Sequence, residues 1–345
     1  MTGEPMQTGN NGLDPDALVL VTGATGFIGS VLVRKLCQRG LKVRAIARAS
    51  SNTSTLDDLG IQWIRGEVFD EATVKEATRG VAYIFHLAGA FREARHGDDY
   101  YHKIHVIPTQ LLARAALGNP GFKRFVHVST IGVHGHIDEP PANESYRFAP
   151  GDAYQNTKAE AELWMHEFAG REHLPYTVIR PASTYGPGDR RLLKVFRMAA
   201  WKFFPILGHG KCLLHLIHVD DLTDAMIVAA THRKAQGEVF ICGNVEPIGT
   251  EEMARTIARY YGRKLRVIRP PVWPFFLAAD VTTAICRPFG IEPPLHRRRV
   301  AFYTKDRAFD TRKIRETLGW QPRYSNQTGL EQTAHWYLEQ GWVRP

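Results

Sequence analysis

The chain has 345 residues, 44% of them hydrophobic, a formal charge of +9 and four cysteines. Such a length and apolar content suffice for one large α/β domain and a smaller companion, and no stretch approaches the ~20 uninterrupted apolar residues of a membrane-spanning helix. Neither an apolar signal core nor a CxxC pair is present, which predicts a cytoplasmic protein with free thiols at Cys37, Cys212, Cys242 and Cys286 and argues against a zinc site or disulfide framework.

The positive charge suits an anionic cofactor, an acidic substrate or an anionic membrane surface. Nucleic acid is the weakest partner, because no extended basic run or binding motif accompanies the charge. Residues 1–16 are polar, rich in Gly and Pro and without periodicity, the composition of a disordered lead-in. An apolar, partly β-branched strand follows at 18–21 and runs into a turn with Gly23, Thr25, Gly26 and Gly29. From Phe27 and Ile28 onward, apolar residues recur at helical spacing. A strand, a glycine turn and a helix leave backbone N–H groups free at a helix N-terminus, where they and the helix dipole attract a pyrophosphate. The spacing is GxxGxxG rather than GxGxxG.

Strand signals continue at 42–47, 62–64, 82–87, 125–128 and 176–179, with helices near 109–117 and 153–169. This alternation predicts a Rossmann-type, doubly wound parallel sheet. After Pro181 the rhythm breaks. Segment 181–218 carries loops and one basic, apolar helix, 219–245 returns to the sheet, and 246–345 reads as mainly helical with proline interruptions. These boundaries predict a nucleotide-binding domain over 17–180 plus 219–245, and a smaller substrate domain over 181–218 plus 246–345.

Arg48 ends the second strand, where many NAD enzymes carry an acidic residue for the ribose hydroxyls. A cation there favours NADP(H) over NAD(H). Tyr154 and Lys158 lie four apart in a helical stretch, so their side chains share a face. An unperturbed tyrosine titrates near pH ~10, and a nearby ammonium favours its phenolate, which suits Tyr154 to acid–base work on an alcohol or carbonyl. Ser129 and Thr130 end the fifth strand, where a hydroxyl faces the ligand crevice of a parallel sheet.

The ordered set TGATGFIG, HLAG at 86–89, VST followed by VHG, YQNTK, RPASTYGPGD at 180–189 and HVDDL at 218–222 resembles the extended short-chain dehydrogenase/reductase family, across most of the chain. The resemblance implies a Ser/Thr–Tyr–Lys catalytic set of Thr130, Tyr154 and Lys158. It also implies that Leu87, Ala88 and Gly89 line the adenosine and ribose path, that Pro181 abuts the nicotinamide, that Lys158 binds its ribose, and that the protein is a homodimer. The chain departs from the family in three places. His105 and Pro108 stand where NVxGT has Asn and Gly, Glu67 and Val68 replace the Asp-Leu beside the adenine, and His134 replaces the tyrosine of the VYG motif. His134, Ser129 and Ser183 then fall on the substrate side.

Within the family, the C-terminal stretch looks most like the 3β-hydroxysteroid or sterol dehydrogenase-like branch. Phe91 after HLAG, the aromatic residues around Trp201, and the apolar segment 272–286 fit an apolar ligand. That segment, with Arg287 and the trio at 297–299, is also expected to lie against a membrane surface as a peripheral contact over 272–299. Arg190 and Arg191 would instead suit a nucleotide diphosphate, so a nucleotide-sugar epimerase or dehydratase is the alternative. A non-catalytic NADP(H) sensor is a third reading, disfavoured because Thr130, Tyr154 and Lys158 are all present.

Overall fold

The computed structural model describes residues 12–90, 98–201, 203–286 and 306–345, together with 288, 293 and 295. The expected lead-in over 1–11, Phe91, Arg287 and the arginines at 297–299 lie outside the described residues. Residues 12–16, assigned by composition to that lead-in, dock instead. Leu13 packs on the core, and Asp14 pairs with Lys123 at 2.6 Å.

The first half alternates as expected: β1 (Leu18–Thr22), α1 (Phe27–Gln38), β2 (Lys42–Ala47), β3 (Gln62–Arg65), α2 (Glu71–Thr78), β4 (Tyr83–His86), α3 (Asp98–Leu117), β5 (Arg124–Val128), α4 (Ala153–Glu172) and β6 (Tyr176–Pro181). A seventh strand, Val239–Cys242, pairs with β6, giving the order Val239–Cys242, β6, β5, β4, β1, β2, β3, parallel throughout. The strand order reverses between β1 and β4, and a ligand crevice opens beyond the carboxyl ends of strands at such a point. Both faces of the sheet are buried, which is why these strands read as continuous apolar runs. Val19 and Val21 pack toward Leu32, Leu36 and Met226, whereas Leu20 packs toward Leu112, Phe125 and Met165.

α3 begins at Asp98, well before the expected 109, and passes through Pro108. Proline removes one helical hydrogen bond, but Leu112 and Ala113 share a buried cluster with Met165 and Phe168 of α4, and that packing outweighs the local cost. A separate core gathers α5 (Leu193–Ala199), α7 (Thr250–Tyr260) and the C-terminal helix Asn326–Glu339 around Tyr185, Phe196, Ile257 and Tyr337. The helix Arg312–Leu318, read from sequence with the smaller domain, sends Ile314 and Leu318 into the sheet core beside α6 (Val219–Thr231). Among the described residues no helix is long and apolar enough to cross a membrane.

Candidate active site

At the end of β1 the backbone turns at Gly23, whose φ is +73°, a conformation open to glycine at little cost. An added Cβ at Gly23 would sit 2.9 Å from the Ala88 nitrogen, and one at Gly29 would sit 2.1 Å from the Gly23 oxygen. The first glycine therefore lets β1 pass against the segment after β4, and the second lets α1 close onto the turn. Gly26 is the N-cap of α1 and supplies no side-chain cap. The first-turn N–H groups thus face the crevice with Thr25 and Gly26 exposed beside them, a cradle that fits a dinucleotide pyrophosphate. Phe27 and Ile28 are half-buried behind it.

The other expected cofactor residues lie along the same edge. Arg48 is exposed just past β2, and Glu67 and Val68 follow β3, half-buried. Leu87, Ala88 and Gly89 follow β4, and the buried Pro181 ends β6. Arg65 was not anticipated. Its guanidinium donates to the carbonyls of Arg48 and Ser51 and to the Thr53 hydroxyl, bracing the loop that carries Arg48. Only the register across the sheet, Ala47 against Arg65, brings it to that loop, and nothing local in the sequence marks it.

The side chains expected to be reactive come from the segment just after β5 and from α4. Asp152 caps α4 by accepting from the Gln155 N–H at 2.8 Å, which starts the helix immediately before Tyr154 and places Lys158 one turn on. Tyr154 is half-buried. Lys158 is only 5% exposed and donates to the Val128 carbonyl at 2.6 Å, so its ammonium is held over the end of β5. Burial pushes its pKa down to about 8, opposed by the Glu162 carboxylate, so the group is cationic at neutral pH. Thr130 accepts from the Gly132 N–H at 3.0 Å, and its own O–H remains able to donate.

Other sequence-selected residues have different surroundings. Ser129 is buried on the side of the Glu162 carboxylate. The strand ends at Val128, one residue short of the expected hydroxyl pair, and Thr130 instead caps the short helical turn Ile131–His134. His134 is fully buried, between the Arg147 carbonyl at 3.1 Å and the Arg180 guanidinium, also at 3.1 Å. Burial and that guanidinium lower its pKa. Arg180 in turn forms a buried pair with Glu162, donating through Nε at 2.9 Å. Ser183 lies half-buried on the short strand Ser183–Tyr185. The Arg190 guanidinium stacks over Trp342 at 5.4 Å from the ring centroid, and Arg191 lies 5.8 Å over Phe27, close to the glycine turn.

A cavity of about 650 Å³ elsewhere, between residues 209–213 and α7, is lined by Lys211, Glu251, Arg255 and Arg259. None of the glycine turn, Thr130, Tyr154 or Lys158 borders it.

A phosphate cradle at the switch point of a parallel sheet, with Thr130 just past β5 and Tyr154 and Lys158 one turn apart on α4, fits a nicotinamide-dinucleotide enzyme. The profile of the NAD dependent epimerase/dehydratase family matches residues 19–243, and the chain belongs to that family. It is 26% identical to a UDP-glucose 4-epimerase of Vibrio cholerae, over 93% of this chain and 95% of that one. To sterol demethylase protein B of Methylococcus capsulatus it is 38% identical, over 50% of this chain and 53% of the other. The crystal structure of gox2253 superposes with a TM-score of 0.81 at 26% identity, covering 95% of this chain and all of that one.

Proposed function

We propose that this enzyme is an NADP(H)-dependent oxidoreductase acting on a secondary alcohol or ketone in an apolar, sterol-like substrate. The observation carrying the reading is Tyr154 one helical turn before the buried ammonium of Lys158, with the Thr130 hydroxyl in the turn just past β5. Bound along the cradle, the nicotinamide supplies or accepts a hydride. Tyr154 exchanges the substrate's hydroxyl proton, Lys158 favours its phenolate by charge, and Thr130 donates to the substrate oxygen. Relatives named for sterol demethylation and for 3β-hydroxysteroid dehydrogenation and decarboxylation support the apolar substrate. The nucleotide-sugar alternative loses support because Arg190 stacks on Trp342, while Arg191 donates to Asp189 and to the Thr184 carbonyl.

The test is a panel of 3β-hydroxysteroids, flavonoids and nucleotide sugars with both cofactors. Steady NADPH formation with a hydroxysteroid is expected. Interconversion of UDP-sugars without net redox change would replace this reading with epimerisation, and turnover of none would favour a sensor.

Arg48 supports the choice of NADP(H). It is exposed, has no ion pair among the described residues, and sits on a loop braced by Arg65. Arg48→Asp is expected to lower kcat/KM for NADPH by about 10- to 100-fold, the range of a lost charge-assisted phosphate contact, and to leave NADH unimpaired. An unchanged ratio between the cofactors would remove the assignment.

α8 (Trp273–Cys286) supports a peripheral membrane contact. Trp273, Leu277, Val281 and Ile285, four residues apart, are 49–68% exposed and make one apolar ridge. Ile268 and Trp201 are also exposed, and Lys264, Arg266 and Arg269 precede the helix at the surface. Such a ridge beside cations suits an anionic lipid surface. The protein is expected to float with phosphatidylserine-containing vesicles, and Leu277→Asp is expected to reduce the bound fraction. Failure of the wild type to float would end this proposal.

A further inference from the structure

Behind Tyr154 lies a continuous buried chain of polar groups that joins four elements. The Thr22 hydroxyl, at the end of β1, accepts from the Ala88 N–H at 3.2 Å and meets His86 Nδ1 at 2.7 Å. His86 Nε2 meets the Thr109 hydroxyl at 3.1 Å, and that hydroxyl donates to the His105 carbonyl one turn back along α3. His105 Nε2 accepts from the Ala90 N–H at 3.1 Å, and His105 Nδ1 meets the Thr157 hydroxyl at 2.8 Å. Thr157, between Tyr154 and Lys158 on α4, passes its own proton to the Ala153 carbonyl at 2.8 Å. The ring of His105 also stands edge-on to that of Tyr154, with centroids 5.4 Å apart and planes at 81°.

These partners fix the protons. A peptide N–H can only donate, so His105 Nε2 is bare and its proton is on Nδ1, pointing at Thr157. Thr109 gives its proton to a carbonyl, so His86 carries its own on Nε2. Both rings are neutral, and neither faces a group that would take a proton from it and pass it on. Approach is tight as well. A Cβ on Gly89 would lie 3.3 Å from His105 Nε2, so the glycine after Ala88 lets the ring reach the Ala90 amide.

We infer that His105 is a positioning residue that ties the cofactor-facing segment 87–90 to the first turn of the catalytic helix, and so sets where Tyr154 stands. This rests on Tyr154 and Lys158 being the reactive pair. The ring works as a strut with one donor and one acceptor, holding the Ala90 amide on one side and Thr157 on the other. Its third contact is the face-to-edge wall it gives the phenol. A proton cannot be relayed through it, since its second nitrogen is closed by an amide donor.

The experiment uses His105→Phe, Thr157→Val and Thr157→Ser, with Tyr154→Phe as control. His105→Phe keeps a ring against Tyr154 and loses both hydrogen bonds. It is expected to lower kcat, measured with whichever panel substrate the wild type turns over, by about 10²-fold, the scale of a small misplacement of a reacting group. NADPH affinity, read by fluorescence titration, is expected to fall far less than kcat, because the phosphate cradle of the Gly23–Gly29 turn is untouched. Thr157→Val should repeat the effect and Thr157→Ser should restore it. Amide hydrogen exchange should quicken in Thr157→Val both at 153–158 and across the ring at 87–90. If His105→Phe fails to fold, the two Thr157 variants carry the test.

Full kcat in Thr157→Val, or exchange confined to α4, would overturn the inference. So would a pH–rate limb in the histidine range that disappears in His105→Phe, since the ring would then be carrying a proton. Tyr154→Phe separates the two levels. If it is inactive while the His105 and Thr157 variants are not, only the strut fails, whereas an active Tyr154→Phe refutes the site itself.

Discussion

Tyr154→Phe is expected to lower turnover by about three orders of magnitude, within the 10²- to 10⁴-fold range of a positioned acid–base group, and to leave NADPH affinity nearly unchanged. One oxygen is removed and little else. The ring is half-buried, it keeps its edge contact with His105, and Asp152 still caps the helix. Lys158→Met should be comparably damaging but should also weaken cofactor binding, if the lysine holds the ribose as well as supplying charge. The two variants therefore separate in KM for cofactor rather than in kcat. Because burial holds the Lys158 ammonium at about 8, the charge supporting the phenolate is present below that pH and is lost above it. Activity of the wild type should accordingly fall on the alkaline side of about pH 8. A Tyr154→Phe enzyme as active as the wild type would dismiss the mechanism.

What could be read from the sequence was what is local. The glycine turn, the alternation of strands and helices, and the pairing of Tyr154 with Lys158 depend on residues a few positions apart, and β2 has the expected bounds, 42–47. The partners of Arg180 and His134 were out of reach, because they lie on segments far apart in the chain that only the packed sheet brings together. The same holds for the chain from Thr22 through His86 and His105 to Thr157, whose members span 135 positions yet sit within hydrogen-bond reach. His105 looked on sequence like a missing asparagine. In the fold both of its ring nitrogens are hydrogen-bonded, to the Ala90 N–H and to Thr157. Sequence periodicity marks only the half of α3 after Pro108, and the packing of Leu112 and Ala113 against α4 explains why the helix runs through the proline.

Three buried histidines, the two of that hydrogen-bonded chain and His127 on β5, make the fold acid-sensitive. His86, His105 and His127 are at most 1% exposed. Burial, with the Lys158 charge nearby, holds His86 at about 3 and His105 at about 2, and puts His127 well below the ordinary 6.5. Each is neutral in the folded protein and takes up a proton near pH 6.5 once unfolded. Below that pH the unfolded state binds more protons, and stability falls as pH falls. Between about pH 7.5 and about pH 5.5, each histidine contributes roughly 1 kcal/mol to this loss, a substantial part of a typical domain's stability for the three together. The carboxylates act in both directions. Glu162 is shifted down, so its contribution is lost only at still lower pH, whereas Glu144 and Asp221 are shifted up by burial and oppose the trend in the acid range. Urea unfolding at the two pH values should therefore give midpoints that differ markedly at unchanged slope. Equal midpoints would mean that these histidines bind protons inside the fold, which the closed partners of His86 and His105 do not allow.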